Sequence, residues 1–306
     1  MGDIRVMFDI TVLIAVHRRI ETTKVFINSI MKNSDLNIQV VVCGDRSFLP
    51  SVDTDTHLPV TEYFRNRNDF FFITQDTPRE PLDKKYVFVE SMNTKNLNKE
   101  PSQERQDLPL FNYMYYSCSY AIPYCNSDLI LGPTEDDLYF IKGWDVEYLQ
   151  TVRSYNPLEH IFIHREVNSN NYPSIRPSKY PLTCPERHNL IKSGKNMMDF
   201  ATIKTSDIKA FGSKDRSEGK IIMYDIPPPE RGWPLSEHGP FLIHKELLNK
   251  IGGYHGHNYN YLENIGVYGN SRHIPNLLYF SGIRKLVQNT RVVFFHNLFK
   301  QIIVEG

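Results

Sequence analysis

The strongest constraint on the fold is a pair of apolar runs, Ile10 to Val16 (ITVLIAV) and Ile38 to Cys43 (IQVVVC). The first is β-branched and lacks any apolar–polar alternation, as expected of a strand covered on both faces in a parallel sheet. Between the runs, Glu21 to Asn33 carries Val25, Phe26, Ser29 and Ile30 at helical spacing, which predicts a helix with one inner face. Strand, helix and strand in this order form a β-α-β unit whose crossover sets the two strands parallel.

Loops at the carboxyl ends of such strands are where open α/β sheets bind ligands. Here they carry His17, Arg18 and Arg19 after the first strand and Gly44, Asp45, Arg46 and Ser47 after the second. No GxGxxG follows the first strand and no GxxxxGK[ST] occurs anywhere, which removes the dinucleotide fingerprint and the P-loop. A third apolar run, Leu129 to Leu131 within SDLILGPTEDDLYFIKGW (Ser127 to Trp144), leads into Glu135, Asp136 and Asp137. Three adjacent carboxylates repel one another, and a cation or a phosphate-bound metal relieves that repulsion. The alternative is a solvated acidic turn that caps a helix over Trp144 to Val152.

The chain has 306 residues, 41% hydrophobic and 23% charged, enough for one large domain or two small ones. Its 35 Lys and Arg balance its 35 Asp and Glu, so no global basic field exists to hold nucleic acid or an anionic membrane. Cys43, Cys118, Cys125 and Cys184 contain no CxxC pair, which fits reduced thiols in an intracellular compartment. No signal-peptide pattern and no apolar run near the ~20 residues of a membrane helix is present, so a cytoplasmic location is expected, with peripheral membrane contact left open.

Tyr63 to Thr74 and Lys85 to Val89 read as further strands, and the polar Ser91 to Asp107 as an exposed loop. Leu108 to Tyr124 is aromatic and apolar, with Phe111, Tyr115, Cys118 and Ile122 on one helical face. His164 to Gly232 has little periodicity beyond a helix expected near Asn196 to Phe211. Pro227 to Pro229 then lead to Trp233, a residue that either stacks on a sugar or packs in the interior. Gly239 to Tyr254 (GPFLIHKELLNKIGGY) reads as strand, helix and Gly-Gly stop. His255 and His257 follow in a glycine-rich turn, where exposed histidines are the simpler reading than a metal site.

The order IAVHRRIETTK, IQVVVCGDRS, a strand ending in EDD, then GWD and IGGY resembles the GT-A nucleotide-sugar glycosyltransferases, particularly glycosyltransferase family 2. Ile14, Arg19 and Glu21 match that family's first loop, whereas Ala15, Val16, His17, Arg18 and Ile20 replace its other residues. The resemblance implies a single Rossmann-like α/β domain over residues 1–306, with a mostly parallel central sheet flanked by helices. Residues 8–152 would bind the nucleotide sugar and residues 153–306 the acceptor. Donor contacts implied are Ala15, Val16, His17, Arg19, Asp45, Asn112, Glu135 and Asp136. Asp137 occupies the metal position of the D-X-D motif, and His296, after the apolar run Val292 to Phe295, is a second candidate ligand for Mn²⁺ or Mg²⁺. Trp233 is the candidate acceptor contact.

The resemblance further implies a catalytic base near Tyr261-Leu262-Glu263-Asn264, with Arg272 beyond it. Asn264 stands where the family has aspartate and cannot accept the proton, so Glu263 is the candidate base. The implied activity is metal-dependent, inverting transfer of a sugar from a UDP- or GDP-type donor to a hydroxyl of a carbohydrate acceptor, as in polysaccharide biosynthesis. Two rivals stay open: a nucleotide- or glycan-binding scaffold without turnover, favoured by Asn264, and a sugar nucleotidyltransferase, disfavoured because IAVHRRIETT lacks a glycine-rich phosphate loop.

Overall fold

The computed structural model describes residues 7–16, 20–44, 60–74, 76–90, 118–134, 138–168, 203–204, 219–226, 240–254, 273–296 and 302–303. In chain order the elements are β1 (Ile10–Val16), α1 (Ile20–Asn33), β2 (Ile38–Gly44), α2 (Val60–Arg65), β3 (Phe71–Ile73) and β4 (Tyr86–Glu90). A 3₁₀ turn (Ile122–Tyr124) precedes β5 (Leu129–Thr134), β6 (Tyr139–Phe140), α3 (Trp144–Arg153), β7 (His160–Asn168), β8 (Ile203–Lys204) and β9 (Ile221–Asp225). Then come β10 (Phe241–His244), α4 (Lys245–Lys250), α5 (His273–Phe280), β11 (Lys285–His296) and β12 (Ile302–Ile303).

One ten-stranded sheet runs in the order β3-β4-β2-β1-β5-β10-β7-β11-β6, with β9 also pairing with β11. Strands β1 to β5, β7 and β11 share one direction, while β10, β6 and β9 run against it. This is the α/β architecture that the GT-A resemblance implies, a mostly parallel central sheet flanked by helices. Strands β8 and β12 form a separate parallel pair.

Alternate side chains of each central strand enter opposite cores, as the two-residue period of a strand requires. Ile10, Val12, Ile14, Val40, Val42, Leu131, Phe162 and Leu242 face a layer built from Phe26, Ile27 and Ile30 of α1, Phe64 of α2, and Trp144, Tyr148 and Val152 of α3. Leu13, Val41, Cys43, Ile130, Ile161 and Ile243 face the other layer, which includes Tyr124, Leu247 and Leu248 of α4, and Leu277 and Leu278 of α5. Both faces are therefore dry, which explains why β1 reads as an unbroken apolar run. Gln39 is the polar exception in β2. Its Oε1 accepts from Thr11 Oγ1 and the Asn126 backbone N–H, both at 2.8 Å, and its Nε2 donates to the Leu82 and Lys84 carbonyls at 3.0 and 3.1 Å. A buried amide with its hydrogen bonds made locks the β2–β4 side of the sheet without an unpaired polar group.

The structure corrects several expectations. Tyr63 to Thr74 is not one strand: Tyr63 lies in α2, and only Phe71–Ile73 pairs with β4. The helix expected through Tyr124 tightens into the 3₁₀ turn Ile122–Tyr124, because Pro123 has no N–H to continue an α ladder. Within the helix expected near Asn196 to Phe211, Ile203–Lys204 is instead a strand. Two strands, β7 and β9, lie wholly or partly in the stretch that reads as aperiodic. Among the described residues no helix is long and apolar enough to cross a membrane.

Gly44 ends β2 beneath the ring of Phe88: a Cβ there would sit 2.1 Å from Phe88 Cζ. Phe88 is held between Phe64 and Phe72, at 5.0 and 5.1 Å between ring centroids, so it has nowhere to go. Gly44→Ala is expected to lower stability by about 1–3 kcal/mol, the usual cost of overpacking, measured by urea unfolding; trimming the ring in Gly44→Ala/Phe88→Leu should return part of it. Cys43, Cys118 and Cys125 are all buried, and burial pushes the Cys43 thiol well up and the Cys125 thiol up to about 12. Folding thus favours the neutral Cys43 and Cys125 thiols, so their contribution is complete below the ordinary thiol value of about 8.5 and is lost above it, for Cys125 as the pH climbs toward 12. These three cysteines should resist alkylation at pH 8 in the native protein and react once it is denatured, as peptide mass mapping would show.

Candidate functional site

The parallel registers bring the carboxyl ends of several strands to one edge. Val16 of β1 pairs with Gly44 of β2, Gly44 with Glu90 of β4, and Ile14 with Thr134 of β5. Strand β11 runs the same way and ends at His296, and the chain enters the inverted β10 here, at Phe241 opposite Gly132. The segments that leave or enter this edge are those carrying His17 and Arg19, Asp45, Glu135 to Asp137, and Trp233. This is the edge where an open α/β sheet binds its ligand.

The acidic triplet leaves β5 through a bulge. Val12 pairs with Leu131 but Ile14 with Thr134, so β5 spends one extra residue at Gly132-Pro133. The Thr134 hydroxyl donates to the Leu13 carbonyl at 2.8 Å, a side-chain bond across the interrupted ladder. Bulges commonly redirect a strand next to a site. On the far side of the triplet, Leu138 is buried and β6 begins at once.

The chain after the triplet is fixed to the carboxyl end of α1. Ser29 Oγ accepts from the Phe140 N–H at 3.2 Å, and Asn33 Nδ2 donates to the Phe140 carbonyl at 2.6 Å. The Gly143 N–H donates to the Asn33 carbonyl at 3.0 Å, and Trp144 Nε1 to Ser34 Oγ at 3.0 Å. Asp145 is fully buried, and its Oδ2 accepts from the N–H groups of Asp35 and Leu36, each at 2.7 Å. Phe140 meets Phe26, Trp144 and Phe294 at 5.2, 4.5 and 4.0 Å between ring centroids. The N-cap of α3 is Gly143 with φ 75°, in the left-handed region that glycine adopts without a Cβ clash. Since β6 and this glycine separate them, the triplet is not the cap of α3.

Two other segments meet this edge. In β11, Phe294 pairs with Phe140 and Phe295 with Tyr139, and the strand ends one residue later at His296, which pairs with Asn168 of β7. In the IGGY segment, Gly252 and Gly253 have φ 86° and 71° and turn the chain after α4. Tyr254 then packs on Phe241, 5.9 Å between ring centroids, and its hydroxyl would lie 3.3 Å from a Cβ at Gly132. Tyr254 therefore sits beside the bulge of β5 at Gly132-Pro133. Burial holds the Tyr254 hydroxyl well above the usual tyrosine range, so it stays neutral.

Of the residues the sequence singles out, Val16 has its side chain in the core and offers a ligand only its backbone, while Ala15 is half-buried. His296 is placed by its backbone at the end of β11. His17, Arg19, Asp45, Asn112, Glu135, Asp136, Asp137, Trp233 and Glu263 lie outside the described residues. Among the described residues no group of three or more His, Cys, Asp or Glu gathers in a way that could hold a metal ion. Sequence reading missed Asn33, Thr134 and Asp145, which fix the edge, and the bond to Phe140 made by Ser29, a residue it read only as part of the inner face of α1. Asp145 alone had a visible signal, its place in the GWD that follows the triplet. Gly44 closes β2 and has no room for a side chain.

No protein-family model matches the chain, and no curated protein matches it in sequence. Among solved structures it is similar to S. aureus TarS 1–349, with a TM-score of 0.44 and 9% identity over 94% of this chain and 60% of that one. It is also similar to GalNAc-T7 with UDP, GalNAc and Mn²⁺, with a TM-score of 0.42 and 12% identity over 97% of this chain and 45% of that one. A mycobacterial protein gives a TM-score of 0.35 and 10% identity over 95% of this chain and 67% of that one. The chain thus spans less than two thirds of the first two. At these levels none of the three carries an argument about what this chain does.

Removing the carboxylate that ties α3 to the end of α1 tests how the edge is held. Asp145→Ala leaves the Asp35 and Leu36 N–H groups without their partner and is expected to lower stability by about 1.5–3 kcal/mol, the scale of hydrogen bonds to a charged group, read by urea unfolding. Amide exchange should rise at residues 34–36 and 138–145 ahead of the rest of the sheet.

Proposed function

We propose that the chain is a metal-dependent glycosyltransferase of the GT-A type, moving a sugar from a nucleoside-diphosphate sugar to a hydroxyl of a carbohydrate acceptor with inversion. The observation that carries this reading is the convergence of the ends of β1, β2, β5 and β11 on one sheet edge, with both flanks of the acidic triplet, Thr134 and Phe140, pinned there and β11, which pairs with β6, ending at His296. A carboxylate oxygen and an imidazole nitrogen suit Mn²⁺, and a carboxylate alone suits Mg²⁺, with phosphate and water completing the shell. On this reading Asp137 and His296 hold the ion. When bound, it would offset the charge that grows on the departing diphosphate.

The remaining roles belong to the chain itself. His17, Arg19 and Asp45 follow β1 and β2 and would hold the nucleotide, with the Ala15 and Val16 backbone as the wall beneath it. Asn112, Glu135 and Asp136 would position ribose and sugar. Trp233 would stack on the acceptor, and Glu263 would take the proton from its hydroxyl as that oxygen attacks the anomeric carbon. Residues 8–152 form the donor half and 153–306 the acceptor half of one domain. The UDP or GDP base and the sugar depend on side chains of these loops.

A scaffold that binds nucleotide or glycan without turnover is the second reading, favoured by Asn264 at the position of the expected base. Incubation with a panel of nucleotide sugars, Mn²⁺ and carbohydrate acceptors separates the two: transfer supports the enzyme, and nucleotide binding without transfer or hydrolysis for any donor supports the scaffold. Asp137→Ala should weaken Mn²⁺-dependent UDP or GDP binding by about 100-fold or more, beyond what an outer-shell change costs, with circular dichroism unchanged. Parent-like binding by that variant would sink the metal assignment. Glu263→Gln should spare donor binding and slow transfer by about 10²–10⁴-fold; transfer at the parent rate would move the base elsewhere.

A further inference from the structure

The second half of β11 reaches the acidic edge through an irregularity. Against β7, β11 runs in regular parallel register from Lys285↔His160 to Gln288↔Ile163 and resumes at Val293↔Arg165. Five steps along β11 thus match two along β7, and three residues are looped out opposite His164. Had the first register continued, Val293 instead of His296 would face Asn168. An odd offset also exchanges the faces of every later side chain.

Side-chain amides make hydrogen bonds where the ladder is interrupted. Gln288 Nε2 donates to the His164 carbonyl at 3.0 Å, and Gln288 Oε1 accepts from the Tyr224 hydroxyl at 3.0 Å. Asn289 is 3% exposed. Its Oδ1 accepts from the Arg291 N–H at 2.9 Å, the two-residue turn that Asn side chains favour. Its Nδ2 donates to Thr151 Oγ1 of α3 at 2.8 Å. On the outer side, the Thr290 N–H donates to the Lys220 carbonyl at 3.0 Å, and the Lys220 N–H to Thr290 Oγ1 at 2.7 Å. Asn289 thus ties the looped-out residues to α3, the helix that Asp145 ties to α1 at the edge of the acidic loop. Aspartate would lack the donor for Thr151, and leucine would lack both halves of the bridge.

We infer that Asn289 is a positioning residue for the proposed metal edge: by pinning the bulge of β11 to α3, it sets the register in which β11 delivers His296 to its end, opposite Asn168 of β7. The inference rests on the reading of His296 as a metal ligand. It does not require Asn289 to touch the ion or the substrate.

The test uses the full chain loaded with Mn²⁺ and UDP, with electron spin-echo spectroscopy reporting nitrogen bound directly to manganese and isothermal titration reporting affinity. The parent should show ¹⁴N coupling, and His296→Ala should remove it. Asn289→Ala, folded by circular dichroism, should lose the coupling and bind Mn²⁺ about 10–100-fold more weakly, the range for outer-shell partners of a metal site. Thr151→Val, which removes the hydroxyl that accepts from Asn289 and itself donates to the Glu147 carbonyl at 2.7 Å, should shift affinity the same way, and Thr151→Ser should keep it; this pair decides the matter if Asn289→Ala does not fold. Coupling lost in His296→Ala but parent-like in Asn289→Ala, or in Thr151→Val where the asparagine variant is unfolded, overturns the inference alone. Coupling absent from the parent, or surviving in His296→Ala, overturns the reading of His296 and the inference with it.

Discussion

Side-chain parity across a sheet buried on both faces is the constraint on which this structure depends. With Leu13, Val41 and Ile130 committed to one core and Ile14, Val42 and Leu131 to the other, no central strand can slip by one residue without exchanging its two faces. Each apolar side chain misplaced into an unsuitable environment forfeits about 1.5–3 kcal/mol, so the registers of β1, β2 and β5 are stiffly determined. The edge at their carboxyl ends inherits that stiffness. A ligand site assembled there gains strand ends whose positions are set by the core.

Bulges are the means by which such a sheet changes direction without giving up parity elsewhere. In β5 the extra residue falls just before the acidic triplet, and the Thr134 hydroxyl repairs the ladder. In β11 the longer excursion falls before the strand turns toward β6, and Gln288, Asn289 and Thr290 repair it. Both repairs are side-chain hydrogen bonds in largely buried positions, where an unmade bond costs more than a made one contributes. The two bulges are therefore fixed features of the fold, and the strands beyond them converge: Phe294 lies against Phe140, 4.0 Å between ring centroids, two residues from His296 and three from Asp137.

The parts of the fold legible in the sequence are those whose signal is local. Strands β1 and β2 show as β-branched runs because both faces are dry, α1 shows its inner face through Phe26 and Ile30, and the Gly252-Gly253 stop needs positive φ. The acidic triplet at the end of a buried strand was readable for the same reason. What escaped notice depends on distant partners. Strand β7 has His164 within it, which reads as polar until Phe294, 4.2 Å away between ring centroids, and the Tyr148 hydroxyl, 3.3 Å from His164 Nδ1, are in place. Strand β9 exposes Ile221 and Met223 and half-buries Ile222 and Tyr224, so it has no clean alternation to detect. Asn289 sits in a QNT break inside an apolar strand; nothing short of the β7 register shows that the break is a bulge.

The flanks of the acidic loop are held by neutral hydroxyls and amides, by aromatic packing, by the buried carboxylate of Asp145 and by an exposed Lys142–Asp35 ion pair, contacts made by residues outside the triplet. This separation has a physical consequence. Repulsion among three adjacent carboxylates tends to splay a loop, and a loop held only by its own ion pairs would change shape whenever a cation came or went. Here the exits at Thr134 and Leu138 are set by the core and by α1. On the proposed reading, a cation taken up at this edge would meet a loop whose two ends are already placed, and less of its binding energy would go into ordering those ends, which is what preorganisation means for a site on a sheet edge.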